Sequence, residues 1–230
     1  MLQHSYFLNI CHVNLNNLSN KLNFVNTLLT EHNVDILGIS ESWLNNTILD
    51  SFIDISNYDL IRADSPSGIR KHGIAVYVKI ELKYVILQTN VPNVVIVHFS
   101  SYGLYVITVY RPPSYTVCEN NVLFNFLCTF CNDKEVVIQG DFNLPSICWN
   151  LEDIFSVYIG PLDLEFLNMF ISLGLVQIVK EATNHPSGNI IDLFLCTDME
   201  RILSCEILPP MPGCSHSAVK VSYLFQIFFI

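Results

Sequence analysis

The sequence predicts a domain of the α/β class, in which sheets and helices pack in layers. Short apolar runs that are typical of buried strands recur along the whole chain. A few segments with helical spacing of apolar residues lie between these runs. No repeat, charge block or long linker rich in Gly, Ser or Pro divides the 230 residues, so we expect one domain over residues 1–230.

Individual elements follow from the same patterns. Strands are predicted at residues 6–13, 35–40, 74–78, 94–98, 104–110, 136–139, 190–195, 202–208 and 218–224. Helices are predicted at residues 18–31, 122–131 and 162–173. Two of these elements have clear ends: Arg111-Pro112-Pro113 stops the strand before it, and Gly174 ends the last helix.

Composition limits the cellular setting. No run of 18 or more uncharged apolar residues is present, so no membrane span is predicted. The first ten residues lack a basic segment followed by an apolar one, so we expect no signal peptide and an intracellular protein. The eight cysteines are then expected to be free, buried thiols. Cys128 and Cys131 form a C-x-x-C pair without the second pair that a structural zinc needs.

The formal net charge is −10. An acidic chain matches DNA poorly, because Lys and Arg supply most of the non-specific affinity. This charge counts against a free-standing DNA-binding protein. It counts less against a metal enzyme, whose acidic residues surround a cation.

Polar residues follow the first two predicted strands. Asn14 and Asn16 come after the first strand, and their amides suit a phosphate oxygen or a metal shell. Glu41 ends the second strand and offers the carboxylate oxygen that Mg²⁺ prefers. The alternatives are an Asn-rich turn and an exposed glutamate at a strand end.

Two further strands end in groups suited to phosphoryl chemistry. Tyr110 and Arg111 leave one strand together and can both donate to a phosphoryl oxygen, unless they are a core tyrosine and an exposed arginine. Gly140-Asp141-Phe142-Asn143 follows another strand and is the sharpest motif. There, Gly140 allows a tight turn, Asp141 is a candidate acid/base group and Asn143 a positioning amide.

The last pair is divided between two late strands. Asp192 lies in an apolar stretch, and a buried carboxylate is costly unless it is paired. His216 comes just before the final strand. A carboxylate beside a histidine orients the ring and stabilises its charged form. The alternative is a surface histidine and an unrelated aspartate.

Taken in order, these residues resemble the motif series of the endonuclease/exonuclease/phosphatase superfamily. The series is Asn14-x-Asn16, Glu41, Tyr110-Arg111-Pro112-Pro113, Gly140-Asp141-x-Asn143, Asp192 and His216. Finer features are similar to the endonuclease domains of LINE-type (non-LTR) retrotransposon polyproteins; they are Ser40-Glu41-Ser42-Trp43-Leu44, residues 73–78, Thr183 and Pro209-Pro210. The resemblance covers about residues 6–224.

The resemblance implies a four-layered α/β sandwich, with two mixed sheets face to face and helices outside. It implies hydrolysis of a phosphodiester with Mg²⁺ or Mn²⁺, held by Glu41 and Asn16. By position it also implies a set of catalytic and substrate-binding residues: Asn14, Tyr110, Arg111, Asp141, Asn143, Asp192 and His216. In that set Asp141 handles protons, His216 is oriented by Asp192 and stabilises charge, and the other side chains bind phosphate or position water.

The resemblance further implies DNA as the partner, nicked at the target site for reverse transcription. It implies a reverse transcriptase domain in the same polyprotein and a nuclear place of action. One position departs from the family pattern: Ser215 stands where an Asp is expected before His216. Losing such an acid costs about 10- to 100-fold in affinity or activity. The alternatives are therefore an impaired or inactive copy, or a small-molecule or lipid phosphatase of the same superfamily.

Overall fold

Two sheets of six strands pack face to face in a computed structural model of the protein, which describes residues 5–65, 71–149, 160–211 and 213–226. In chain order the elements are β1 (Ser5–Asn14), α1 (Leu22–Glu31), β2 (Ile36–Ser40), β3 (Tyr58–Ala63), β4 (Ile74–Lys79), β5 (Val85–Leu87), β6 (Val94–Phe99), β7 (Leu104–Tyr110), α2 (Val117–Cys131), β8 (Glu135–Asp141), α3 (Pro161–Ser172), β9 (Val176–Gln177), β10 (Asp192–Cys196), β11 (Ile202–Leu208) and β12 (Ala218–Gln226). The predicted α/β sandwich is confirmed.

Sheet order brings the ends of several strands to one edge. The first sheet has the order β11-β12-β1-β2-β4-β3, and the second has the order β5-β6-β7-β8-β10-β9. Only the pairs β1–β2 and β7–β8 are parallel within the described residues, so each pair ends at the same edge. Strands β10 and β12 run antiparallel to their neighbours and begin at that edge.

The register of the second sheet aligns three polar residues. Tyr110 lies opposite Asp141, and Asp141 lies opposite Asp192 on its other side. In the first sheet, Asn14 lies opposite Ser40, the residue before Glu41. The polar strand ends that the sequence marks therefore meet at one edge of the sandwich.

Gly38 allows the two sheets to approach closely beside this edge. A Cβ at Gly38 would lie 2.6 Å from Nε2 of Gln139 and 2.8 Å from Oγ1 of Thr108, which both belong to the opposite sheet. Nε2 of Gln139 donates to Oγ1 of Thr108 across 3.2 Å, while Oε1 of Gln139 is buried without a hydrogen-bond partner among the described residues. Strand β2 is thus held directly against β7 and β8.

Apolar residues fill both faces of the first sheet. Leu8 and Ile10 of β1 point into the core between the sheets, while Cys11 and Val13 point to the other side. This alternation is the period of two of a strand buried on both faces. Helix α1 covers the outer side with its apolar stripe of Val25, Leu28 and Leu29. Helices α2 and α3 pack against each other through rings such as Phe124 and Phe166.

The predicted strands and helices are all present, with shifted bounds. The segment predicted as a helix from residue 18 begins with a 3₁₀ turn at Leu18–Asn20, and α1 follows it. Helix α2 begins at Val117 rather than at residue 122, because Thr116 and Glu119 form a capping box. Strands β3, β5 and β9 were not predicted; β5 and β9 are very short, and all three lie at sheet edges or next to them.

All eight cysteines are free thiols, as predicted, but only Cys11, Cys131 and Cys196 are buried, and Cys118 and Cys148 are exposed. Within the described residues, no helix has the length and apolar character needed to cross a membrane.

Gly140 has a different role from the predicted one. Strand β8 continues through it to Asp141, so it does not form a tight turn after the strand. A Cβ at this position would lie 1.9 Å from the carbonyl oxygen of Val109 in the neighbouring strand. Glycine is therefore required by the close approach of two backbones next to the catalytic edge.

Replacing Gly140 by alanine should destabilise the protein strongly, since a backbone carbonyl cannot move aside easily. We expect a loss of about 3 kcal/mol in the free energy of unfolding, measured by urea denaturation. Gly103→Ala is the control, because Gly103 has a positive φ but open space around its Cβ position. It should lose only about 1 kcal/mol. Equal losses in the two variants would contradict the steric explanation.

Candidate active site

The polar side chains at the common edge form one connected cluster. The amide nitrogen Nδ2 of Asn14 donates to Oε1 of Glu41 at 3.0 Å and to Oδ2 of Asp141 at 2.8 Å. Glu41 comes from the first sheet and Asp141 from the second. One buried amide therefore holds two carboxylates from opposite sheets together.

This arrangement corrects the predicted role of Asn14. Both amide hydrogens are used by carboxylates, and the side chain is fully buried. Its Oδ1 accepts the backbone N–H of Asn16 at 3.2 Å. Asn14 therefore positions the two acids and does not face a substrate.

Glu41 is fixed by two further donors. The hydroxyl of Tyr110 donates to Oε1 at 3.1 Å, and Nε1 of Trp43 donates to Oε2 at 3.3 Å. The backbone of Glu41 has a φ of 50°, in the left-handed region that costs energy for most residues. Burial, followed by the charges of Glu41 and Asp141, raises the pKa of Tyr110, so its hydroxyl keeps its proton and remains a donor.

Asp141 lies at the centre of the cluster. Its Oδ1 accepts the backbone N–H of Asn143 at 3.0 Å, and its Oδ2 accepts Asn14. Burial and the nearby charge of Asp192 hold the pKa of Asp141 well above its usual range. A carboxyl group with a raised pKa can take up and release a proton near neutral pH.

Asp192 and His216 form the predicted contact. Nδ1 of His216 lies 2.7 Å from Oδ2 of Asp192. Although burial alone would lower it, the charge and hydrogen bond of Asp192 raise the pKa of His216 to about 9. Burial also opposes ionisation of Asp192, but His216 outweighs it and keeps the pKa of Asp192 below its usual range.

Two residues that sequence reasoning did not select contact the histidine pair. Nδ2 of Asn184 lies 3.2 Å from Nε2 of His216. On the other side, Nδ1 of His12 lies 3.6 Å from Oδ1 of Asp192, while its Nε2 is 2.8 Å from Oγ of Ser40. Burial is the main reason why the pKa of His12 falls to about 4, so this ring is neutral at pH 7.

The strand pattern of the sequence could have identified His12 as a site residue. His12 precedes Asn14 by two residues in β1, so both side chains point to the same face of the strand. Asn184 has no comparable signal, since it lies in an irregular segment that bridges to Asn189 and to His216.

Thr183 supports the same segment. Its hydroxyl oxygen accepts the backbone N–H groups of Ile191 and Asp192, at 3.1 and 3.0 Å. The side chain is fully buried. Thr183 thereby fixes the start of β10 and, with it, the carboxylate of Asp192.

Asn143 borders an open cavity of about 290 Å³ beside the cluster. Glu41, Tyr110, His72 and Lys71 line the same cavity. One donor of the Asn143 amide is bound to the carbonyl oxygen of Arg111 at 3.0 Å. This cavity gives a ligand direct access to Glu41, Tyr110 and Asn143.

The prediction that Arg111 binds substrate is wrong. Its side chain is only 2% exposed, and Nε donates to Oδ1 of Asn120 at 2.7 Å. Nη1 donates to the carbonyl oxygens of Phe142 and Asn143 at 3.0 and 3.2 Å. The guanidinium therefore holds the loop that carries Asn143, and burial lowers its pKa.

The residues predicted to hold a metal differ from the tightest group of ligand atoms. Within the described residues, that group is Asp141, Asp192 and His216, whose ligand atoms lie within 4.8 Å of one another. The short hydrogen bond between Asp192 and His216 already accounts for much of this closeness. Asn16 is half-buried with a φ of 49°, and its role as a metal ligand with Glu41 remains a prediction.

Ser215 is half-buried next to His216. Its carbonyl oxygen accepts the backbone N–H of His185 at 3.0 Å. This hydrogen bond ties the residue before His216 to His185, and a hydroxyl stands where the family pattern has a carboxylate.

Comparison with known families identifies the chain. The family model described as endonuclease-reverse transcriptase matches residues 104–220, which is slightly more than half of the chain. The chain belongs to this endonuclease–reverse transcriptase family, within the endonuclease/exonuclease/phosphatase superfamily of nucleases and phosphodiesterases. No curated protein sequence matches it.

Several solved structures share the fold. An AP endonuclease from Archaeoglobus fulgidus has a TM-score of 0.71 at 15% identity, covering 94% of this chain and 99% of the other. The 3′ phosphatase NExo from Neisseria, bound to a product DNA hairpin, has a TM-score of 0.71 at 16% identity with the same coverage. The AP endonuclease LMAP from Leishmania major has a TM-score of 0.75 at 12% identity, covering 94% and 87%.

The raised pKa of His216 predicts how its contribution to stability depends on pH. The folded-state pKa of about 9 exceeds the ordinary value of 6.5, so the stabilising contribution is complete below pH 6.5. That contribution is lost as the pH rises through about 9. NMR titration of the His216 ring should give a midpoint near 9 in the wild type and near or below 6.5 in Asp192→Asn, where burial remains. An unchanged midpoint in the variant would contradict the assigned pairing.

Proposed function

We propose that this chain is a metal-dependent phosphodiesterase that nicks DNA. The observation that carries the proposal is the cluster in which Asn14 joins Glu41 and Asp141, with Tyr110, Asn143 and the Asp192–His216 pair beside it. Phosphoryl transfer requires mainly positioning and neutralisation of charge, and this cluster offers both.

The donor set suits a hard divalent cation. Carboxylate and amide oxygens dominate it, and these are the ligands of Mg²⁺ and Mn²⁺. The carboxyl groups of Asp141 and Asp192 lie close together in the cluster. Burial and the charge of Asp192 raise the pKa of Asp141, so a cation nearby would stabilise its charged form. Oδ1 of Asp192 is also buried without a hydrogen-bond partner among the described residues. Glu41 and Asn16 would hold the cation, which supplies positive charge to a phosphoryl oxygen when bound.

Asp141 is the proposed acid/base group. Its two oxygens are fixed by Asn14 and by the backbone of Asn143, so its orientation is set before substrate enters. A raised pKa lets Asp141 accept the proton of an attacking water and return it to the leaving oxygen. The Asn143 amide and the Tyr110 hydroxyl line the open cavity, where they can orient the phosphate.

His216 is the proposed stabiliser of developing charge. Asp192 binds its Nδ1 and keeps the ring charged at neutral pH. In the charged ring Nε2 also carries a hydrogen, which it can donate to a phosphoryl oxygen. The neutral His12 on the other side of Asp192 adds no charge that would compete with His216.

DNA is the proposed substrate because of two comparisons. The family model combines an endonuclease with a reverse transcriptase, and a structurally similar phosphatase was solved with a DNA hairpin. We therefore propose target-site nicking for reverse transcription, by a chain that acts in the nucleus together with a reverse transcriptase domain. The net charge of −10 implies that basic residues outside this domain contribute DNA affinity.

Ser215 supports a second candidate, an impaired copy of the same enzyme. A hydroxyl cannot replace a carboxylate near a cation, because it does not carry the negative charge. We expect Ser215→Asp to raise the nicking rate by about 10- to 100-fold.

Nicking of a supercoiled plasmid tests the proposal directly. The wild-type chain should nick the plasmid with Mg²⁺ or Mn²⁺ and lose this activity in EDTA. Asp141→Asn keeps the size of the side chain but removes its acid/base function, so the rate should fall by about 10²- to 10⁴-fold.

The outcomes separate the candidates. If the wild type does not nick the plasmid and Ser215→Asp does, the chain is an inactivated copy of the enzyme. Silence from both proteins at any metal concentration would overturn the proposal, provided that circular dichroism shows both to be folded.

A further inference from the structure

A second cavity, of about 430 Å³, lies beside Glu41 and plays no part in the proposed chemistry. Its polar and aromatic lining includes Asn17, Ser19, Trp43, Asn45, Ser65 and Lys71. The volume lies within the range of small-molecule pockets in proteins. We propose that this cavity, called here the Trp43 cavity, binds one nucleoside of the substrate strand, adjacent to the phosphate that is cleaved. The inference rests on the proposed function and names the substrate subsite next to it.

Trp43 gives the cavity an aromatic wall in a fixed orientation. Its Nε1 donates to Oε2 of Glu41, so the indole is tethered to the carboxylate next to the reacting centre. The side chain is half-buried and lines the cavity. Nucleobases stack on aromatic faces of this kind with little regard to sequence.

The rest of the lining suits the polar edges of a base and its sugar. The hydroxyl group of Ser19 can both donate and accept hydrogen bonds. The amide oxygens of Asn17 and Asn45 already accept the backbone N–H groups of Ser19 and Thr47, so these two amides offer their N–H groups to a ligand. Such groups can bind a polar ligand without adding charge.

Lys71 connects this cavity with the catalytic one. It lines the Trp43 cavity and also the 290 Å³ cavity that contains Tyr110 and Asn143. Lys71 therefore lies between the two cavities. Its ammonium group can pair with a phosphate that links a nucleoside in the Trp43 cavity to the scissile phosphate in the 290 Å³ cavity. In a chain with only 11 Lys and Arg residues, a lysine at this place has a clear electrostatic use.

Backbone strain is concentrated around the same cavity. Asn17, Trp43 and Lys71 have φ values of 93°, 55° and 68°. These left-handed conformations cost energy in residues other than glycine, and they accumulate where a site needs a particular geometry. Here the three residues all line the same cavity.

The test measures binding in EDTA, where no cleavage occurs. Trp149→Phe leaves Trp43 as the only tryptophan, because the chain has two and Trp149 is buried among Phe166 and Phe170. A single-stranded hexamer of deoxythymidine should quench the Trp43 fluorescence. Trp43→Ala should weaken binding of this hexamer about tenfold, the effect of losing one stacked base, as measured by fluorescence anisotropy of a labelled strand.

Two controls separate stacking from other effects. Trp43→Phe keeps an aromatic ring but loses the hydrogen bond to Glu41, so it should bind nearly as well as the wild type. A hexamer of base-free deoxyribose analogues should bind equally to the wild type and Trp43→Ala. Lys71→Ala should weaken binding of both hexamers. It should also reduce the slope of log affinity against log salt concentration by about one.

The result that overturns the inference is equal affinity of the wild type and Trp43→Ala for the thymidine hexamer, without quenching. Loss of affinity for both hexamers in Trp43→Ala would also overturn it, since the base would then not be recognised. These outcomes are independent of catalysis. If the hexamer quenches the Trp43 fluorescence but the chain does not nick plasmid, the proposed hydrolysis is contradicted and the nucleoside site is supported.

Discussion

The amide group of Asn14 joins two carboxylates that come from opposite sheets, and the site depends on this buried bridge. Without it, the half-buried Glu41 and the buried Asp141 would repel each other at close range. The bridge is possible only because the sheets approach closely at Gly38, and because β8 runs tightly past Val109 at Gly140. Packing of the two sheets and placement of the acids are therefore one constraint.

The balance of charge around Asp192 and Asp141 explains the protonation states of the neighbouring histidines. His216 pairs with Asp192, while burial keeps His12 neutral on the other side of the same carboxylate. Burial, followed by the negative charge of Asp192, raises the pKa of Asp141, so negative charge is costly at this position. A divalent cation or a proton can compensate it, and both are used in phosphoryl transfer. A chain with a net charge of −10 thus concentrates its acidity where a cation is useful.

The sequence predicted the site better than it predicted the surroundings. Tyr110 and Asp141 were selected because each stands at the end of an apolar strand, and Asp192 because it lies within an apolar stretch. The register then places the three residues side by side. Arg111 was misassigned, since a strand-end arginine next to prolines gives no sign that its guanidinium turns inward to Asn120. His12 and Asn184 were missed because their roles depend on contacts between segments distant in the chain. Strands β3, β5 and β9 were missed because they are short or interrupted by charges, whereas the edge strand β11 was predicted.

Binding of Mn²⁺, measured by isothermal titration calorimetry, tests the central claim most directly. The wild type should bind a single Mn²⁺, and Glu41→Gln should weaken the binding by about tenfold or more, because a ligand carboxylate is lost. Glu31→Gln is the matched control, since Glu31 is an exposed carboxylate on α1. Equal binding by the wild type and both variants, or no binding by the wild type, would contradict a cation site at Glu41.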